Sequence, residues 1–482
     1  MAKADGRRRM PQWVARLAVL LAAARARRVP RWVAWPAVLL MVAAASIAVA
    51  LRVTPLQTVN VAGQVITVGA TAPTLSLSGP GEIDLFGQSL PTNLRFVGPV
   101  RPRLQLVQIT INSELTNFVR GDHPAGAARV LGNILADGWI RYFAWETVIS
   151  GLGALLLVGA VAGWRRLPHR MTVKLLVAGL VVTEAINLGA IMITAYHAPA
   201  SLRQVHSLNQ LVGSEPPVPD VTKAAPVRPG VQVIVIGDST AAGAGLPPIP
   251  HASRSDAACG RSTDSYAEDL ARADNWNVLN LACDSATIAS GLLGPQGRGG
   301  QTVPAQIDEV QRASSASAVI VSIGADDLGW SAMVQYCAVA PNCNDRASAA
   351  YFQQQLASFS KNYLQLLSEL ATLPEHPQVL INSYYDPFGP NVGCLSRAGF
   401  TTAKLRTLTS RLNTLNAVLV KGAADFGFTS AQPDFAGHQI CSQQPFVQGL
   451  QGSAPFHPTT LGQFAIALSD QAALTDQSPL QQ

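Results

Sequence analysis

The sequence predicts an α/β domain built on a central parallel sheet, preceded by three membrane-crossing helices and a small β-rich segment between the first two. Three observations predict it. Apolar runs of about twenty residues, the first of them uncharged, occupy parts of the N-terminal half, long enough to cross a bilayer as helices. After residue 230, short apolar runs alternate with amphipathic helical stretches, the pattern of a parallel sheet covered on both faces. All six cysteines fall in the C-terminal half. The composition agrees: 48% of residues are hydrophobic and only 13% charged, which is poor in charge for a chain wholly in water.

Residues 1–31 form a basic N-terminus, in which arginines crowd from Arg7 to Arg31 and account for much of the net charge of +6. A basic stretch directly before an apolar run marks retention beside an anionic cytoplasmic leaflet. Lys and Arg are scattered in the C-terminal half with no basic stripe, so no nucleic acid partner is expected. Residues 32–52 read as the first span. Trp32 to Leu51 is uncharged, too long and too late for a signal peptide, and lacks a small-residue cleavage pattern, so it is expected to stay as an anchor.

Residues 53–140 alternate in stretches such as Val59 to Val68 and Leu104 to Ile111, broken by Gly and Pro, and predict a β-rich external module. Two further spans follow at 143–164 and 175–196, joined by a short loop with Arg165, Arg166, Arg170 and Lys174. Positive loops stay cytoplasmic, which puts the N-terminus and this loop inside and everything after Tyr196 outside, on a plasma-membrane protein of several passes. Residues 197–230, rich in Pro with Glu215 to Asp220 at their centre, form a semi-extended linker.

The α/β domain is expected over 231–475. Its strands are Val231 to Ile236, Val278 to Ala282, Ala318 to Ile323 and Val379 to Asn382. Helices are expected near Ser265 to Arg272, Val303 to Arg312, Ser348 to Leu373 and Thr402 to Phe426, with a last one from Thr459 or Thr460. Cys259, Cys283, Cys337, Cys343, Cys394 and Cys441 lack metal-ligand spacing, so they predict disulfides in an oxidising compartment and no metal site. Fifteen pairings are formally possible; pairing each cysteine with the next needs only local loop closures.

Two segments carry chemistry. The first strand ends in Gly237-Asp238-Ser239, placing a serine hydroxyl at the carboxyl end of a sheet, where such folds build their sites. Near the C-terminus, His457 precedes Pro458 at the entrance to the last helix, a rigid place for a general base. No glycine-rich phosphate cradle is present.

With both ends in view, four ordered blocks resemble the motifs of the SGNH (GDSL-like) hydrolase superfamily. They are Gly237-Asp238-Ser239, Asn280 to Thr287, Ile323 to Trp330, and Phe456 to Gly462, spanning about half the chain. The pattern is most similar to the secreted actinobacterial esterases and phospholipases, which also carry three sequential disulfides. The resemblance implies a flavodoxin-like three-layer domain and a serine ester hydrolase or O-acyltransferase without cofactor or metal. Ser239 would be nucleophile and His457 base and acid, and backbone N–H groups of Ser239 and Ser285 would hold the oxyanion. With three spans in the membrane, the expected substrate is an acylated lipid or glycan of the cell envelope.

Three positions depart from the family pattern. Ser285 stands where a glycine is expected, but a backbone N–H survives that change. Asp326 stands where an asparagine would donate from its amide, and an ionised carboxylate only accepts. Ala454 replaces the aspartate three residues before His457, so its backbone carbonyl is expected to orient the ring, with Asp434 as a fallback acid. The alternative reading that these changes open is a catalytically impaired SGNH fold used for binding or assembly in the envelope.

Overall fold

A computed structural model describes residues 31–61, 64–74, 76, 78–108, 125–202, 230–313 and 315–475. The first apolar run forms helix α1 (Arg31–Val53). Five strands follow: β1 (Gln57–Val61), β2 (Gln64–Ala70), β3 (Ser78–Leu85), β4 (Gln88–Val97) and β5 (Pro102–Gln108). They make one sheet in the order β1-β2-β5-β3-β4, antiparallel except where β3 meets β5. The stretch Val59 to Val68 is thus a hairpin, with Val59 opposite Ile66. Between β3 and β4 the chain turns through Phe86 and Gly87, both at positive φ (54° and 81°), the backbone that a two-residue hairpin loop requires. Asp84 Oδ1 accepts the Gly87 N–H at 3.0 Å and closes the turn.

Helices α2 (Ala125–Trp164) and α3 (His169–Leu202) complete the first half. The expected β-rich stretch therefore ends earlier than residue 140, because a helix takes over at Ala125. Its physical reason is the spacing of Leu135, Trp139 and Tyr142, which puts three buried side chains on one helical face against the sheet. Trp139 Nε1 donates to the Gly69 carbonyl at 2.9 Å and Tyr142 Oη to the Leu51 carbonyl at 3.1 Å. Ala34–Val53, Ile134–Trp164 and His169–Ala195 are long and apolar enough to cross a membrane. Where α2 and α3 pack, Asn187 donates to Glu146 at 2.7 Å and Ser150 to Glu184 at 3.1 Å, while Glu146 Oε1 and Thr183 Oγ1 have no partner among the described residues. Thr194 of α3 donates to the Val100 carbonyl at 2.8 Å, which ties the same end of the bundle to the sheet. The expected Pro-rich linker lies outside the described residues from 203 to 229, as does the basic N-terminus to residue 30, and α3 runs past Tyr196.

The C-terminal half comprises, in order, β6 (Val233–Gly237), α4 (Ser239–Ala242), α5 (Arg254–Cys259), α6 (Tyr266–Asp274), β7 (Val278–Asn280), β8 (Gln296–Arg298), β9 (Gln301–Val303) and α7 (Gln306–Arg312). It continues with β10 (Ala318–Ser322), α8 (Trp330–Val339), α9 (Arg346–Ala371), β11 (Gln378–Asn382), α10 (Thr402–Asp425), β12 (Thr429–Ala431) and α11 (Thr460–Thr475). The main sheet runs β12-β11-β10-β6-β7, parallel throughout, with Val319 facing Ile234 on one side and Val379 on the other.

Strand alternation divides the core. Ile234, Ile236, Val319 and Val321 face one layer of helices, while Val233, Val235, Ile320 and Leu380 face the other. This is the three-layer α/β architecture expected for residues 231–475. Cysteines pair sequentially: Cys259 with Cys283, Cys337 with Cys343, Cys394 with Cys441. The two halves share a core, because Phe86 at the hairpin tip meets Tyr363 of α9 edge-on, with ring centres 5.5 Å apart, and Tyr363 stacks on Phe359.

Candidate active site

The site forms beyond the carboxyl ends of β6, β10 and β11. β6 ends at Gly237, where a Cβ would run into the Ser322 carbonyl of the neighbouring strand; glycine is required there by close approach. Gln306, buried at the start of α7, clasps the same residue from both sides: Gly237 N–H donates to its Oε1 at 2.8 Å and its Nε2 donates to the Gly237 carbonyl at 3.0 Å. Asp238 then caps α4, accepting the Thr240 N–H on Oδ1 at 2.9 Å. Ser239 is the first residue of that short helix, so its N–H has no partner within the helix.

His457 reaches Ser239 from the opposite side. Its Nε2 lies 2.8 Å from Ser239 Oγ. Its Nδ1 lies 3.3 Å from the Pro455 carbonyl, a bond that sets the tautomer with Nε2 free to accept. The Ala454 carbonyl, expected to orient the ring, accepts the His457 backbone N–H at 3.1 Å and also acts on the imidazole, more weakly than the Pro455 carbonyl. The turn that carries the histidine passes through Phe456 at a positive φ of 68°. Tyr385 Oη holds that turn by donating to the Phe456 carbonyl at 2.9 Å. Asp434 accepts locally from the Ala436 N–H at 2.8 Å. His438 contacts the Gln444 carbonyl at 2.9 Å and stacks on Phe446. Burial lowers the His457 pKa from its ordinary value, and the Pro455 carbonyl opposes this in part.

Ser285 sits at φ 60°, the left-handed region that explains why a glycine is expected there; serine adopts it and keeps its N–H. The loop is held to the next one by Asp327, whose two carboxylate oxygens accept the Ile288 N–H at 3.1 and 3.2 Å. Desolvation pushes Asp327 up to about 7 despite that bond. Asp326 has a buried Oδ2 with no partner among the described residues. Its pKa is raised, first by burial and then by the charge of Asp284; Arg298, ion-paired with Asp284, works the other way. Asp238 is raised too, by burial and then by Asp326. Asp326 and Asp327 on the oxyanion side, and Asp238 beneath the serine, are therefore acids held above the usual carboxylate range.

Two further glutamines that sequence reading missed complete the frame. Gln448 donates to the carbonyls of Ala244 (2.8 Å) and Pro458 (3.0 Å) and accepts the Ala454 N–H at 3.2 Å, binding the nucleophile loop to the histidine loop. Gln463 of α11 donates to the Thr240 carbonyl at 2.9 Å and accepts the Tyr266 N–H at 3.0 Å. Gln463 directly follows the last of the four blocks, whereas Gln448 lies eight residues before it and carries no signal in sequence. Chemically, the arrangement offers a hydroxyl with a base in contact and backbone donors beside it, the parts of an acyl-transfer centre.

Residues 235–464 match the GDSL-like lipase/acylhydrolase family. A lipase from Streptomyces rimosus is 27% identical over 249 residues, covering 50% of this chain and 85% of the lipase. Lipase 1 from Streptomyces coelicolor is 26% identical over 243 residues, covering 48% of this chain and 81% of that protein. The crystal structure of an extracellular lipase from Streptomyces rimosus superposes with a TM-score of 0.42 at 22% identity, covering 50% of this chain and 99% of that one.

Proposed function

Residues 235–464 form a domain of the GDSL-like lipase/acylhydrolase family, a carboxylic ester hydrolase, and from that premise we propose that the chain is a membrane-anchored enzyme that cleaves or transfers O-acyl groups of cell-envelope lipids or glycans. The reading rests above all on the 2.8 Å contact between His457 Nε2 and Ser239 Oγ. Ser239 Oγ attacks the ester carbonyl while His457 takes its proton, and the N–H groups of Ser239 and Ser285 receive the developing oxyanion. His457 then gives the proton to the departing alcohol oxygen. Water or a second hydroxyl repeats the sequence on the acyl-serine, giving free acid in one case and a new ester in the other.

In this scheme Asp326 acts as a third oxyanion donor when protonated. Its unpartnered Oδ2 and raised pKa support that role, since a carboxylic acid donates where a carboxylate repels. Two pH limits follow. A lowered His457 pKa keeps the base neutral further into acid, and activity falls as pH drops through that pKa. A raised Asp326 pKa keeps the donor protonated further toward neutrality, and activity falls as pH rises through it. The pH optimum is expected on the acid side of neutral.

The membrane position rests on three apolar helices, on the basic 165–174 loop at one end of the bundle, and on contacts from α1, α2 and α3 to the strand-rich module at the other. Three disulfides favour an oxidising space for the domain. A fluorophosphonate probe tests the chemistry: labelling of the oxidised full-length protein at Ser239, lost in Ser239→Ala, is expected. A folded, oxidised protein that does not label would favour the binding or assembly role. A reporter fused after residue 230 should read outside; a cytoplasmic reading overturns the anchor topology.

A further inference from the structure

We propose that Tyr384 is a positioning residue for acyl transfer, its hydroxyl bracketing the turn that carries Ser239 to the loop that carries Asp326. The proposal rests on the roles given above to those two residues. Tyr384 follows β11 by two positions and is buried. Its hydroxyl donates to Asp238 Oδ2 at 2.6 Å and accepts the Ala325 N–H at 2.9 Å. Asp238 is the cap of the nucleophile helix, and Ala325 immediately precedes Asp326. A single oxygen atom therefore joins two loops that arrive from different strands, β6 and β10.

The bracket is rigid at its own base. Tyr384 N–H donates to Asn416 Oδ1 at 2.9 Å, and Asn416 Nδ2 donates back to the Tyr384 carbonyl at 2.7 Å, from α10. The other oxygen of Asp238 is already committed to the Thr240 N–H, so the carboxylate cannot swing without releasing α4. Removing only the hydroxyl leaves an apolar ring of nearly the same shape in the core. It also leaves Asp238 Oδ2 without its donor and the Ala325 N–H without its acceptor, and each loop is free to shift relative to the other. A displacement of about 1 Å between nucleophile and oxyanion site can slow such chemistry by up to about a hundredfold.

The test measures kcat and KM on a short-chain p-nitrophenyl ester, the rate of fluorophosphonate labelling at Ser239, and Tm, on the full-length protein. Tyr384→Phe should lower kcat and the labelling rate by about tenfold or more with KM within about twofold, in a protein that stays folded. Asp238→Asn combined with Tyr384→Phe should be no slower than the slower single variant, because both act through one contact. If Tyr384→Phe does not fold, Asp238→Asn tests the bracket from its other end, with the same split expected. An unchanged kcat in a folded variant, with only Tm lowered, overturns the proposal, as does a double variant whose losses multiply. A wild type that neither turns over the ester nor labels overturns the parent reading and the proposal with it.

Discussion

The two halves of the active site differ in how they are prepared. On the nucleophile side, Ser239 and His457 stand 2.8 Å apart, with glutamines and a capping aspartate fixing the loops that carry them. The groups there are hydrogen-bonded to one another. On the oxyanion side, Asp326 lies beside Asp284 and Asp327, and one of its buried oxygens has no partner among the described residues. Under the proposed mechanism the difference teaches that attack and charge stabilisation are separable: the first has its groups in place, and the second depends on a proton at Asp326.

The largest expected effects lie on the prepared side. Ser239→Ala or His457→Ala should reduce turnover of a short ester by about 10⁴-fold or more, and combining them should add little, since the pair works as a unit. Steady-state kinetics on the two singles and the double decide it. Losses that multiply would mean that the two residues act independently, and the pairing of serine with histidine would fail.

Next comes the oxyanion side. Asp326→Asn installs a permanent amide donor, so the gain should depend on pH: about tenfold or more near pH 8, where the carboxyl has ionised, and close to none near pH 5. The rate profile of the wild type should fall from about pH 5 to 8 while that of Asp326→Asn stays level until other groups titrate. A variant slower than wild type at every pH would show that the acid does something that an amide cannot.

Much of this contrast was legible in the sequence, and the exceptions have a physical pattern. The four blocks named Ser239, Ser285, Asp326 and His457, and apolar runs located four of the five main-sheet strands, because strand burial imprints itself on consecutive residues. β12 spans only Thr429–Ala431, too short and too polar to show a period. The start of α2 was missed because its first turns hold small residues, and the sheet that buries Trp139 is itself distant in sequence. Long-range pairings were invisible for the same reason. Nothing near Asp326 in sequence announces Asp284 and Arg298, and nothing near Ser239 announces Gln306 or Gln448.

Gln448 gives the third test, between the serine and histidine loops of the prepared side. Replacing it with leucine leaves two carbonyls and one N–H without partners, at about 1–3 kcal/mol for each buried group. Thermal unfolding should fall by several degrees, with a smaller drop in kcat than at Ser239. An unchanged Tm would mean that water replaces the glutamine at no cost and that the two loops are held elsewhere.

The smallest effect is expected at Ala454, where the family pattern has its acid. Ala454→Asp restores that residue type, yet His457 Nδ1 already faces the Pro455 carbonyl at 3.3 Å and the Ala454 carbonyl acts on the ring as well. The third member of such a site fixes tautomer and orientation, and here a carbonyl does both. The added carboxylate should therefore change kcat by less than about threefold, with the acid limb of the pH profile moved upward as it favours the protonated imidazole. A gain of about tenfold or more would reverse the comparison, since it would place the limiting defect beside His457 instead of at Asp326.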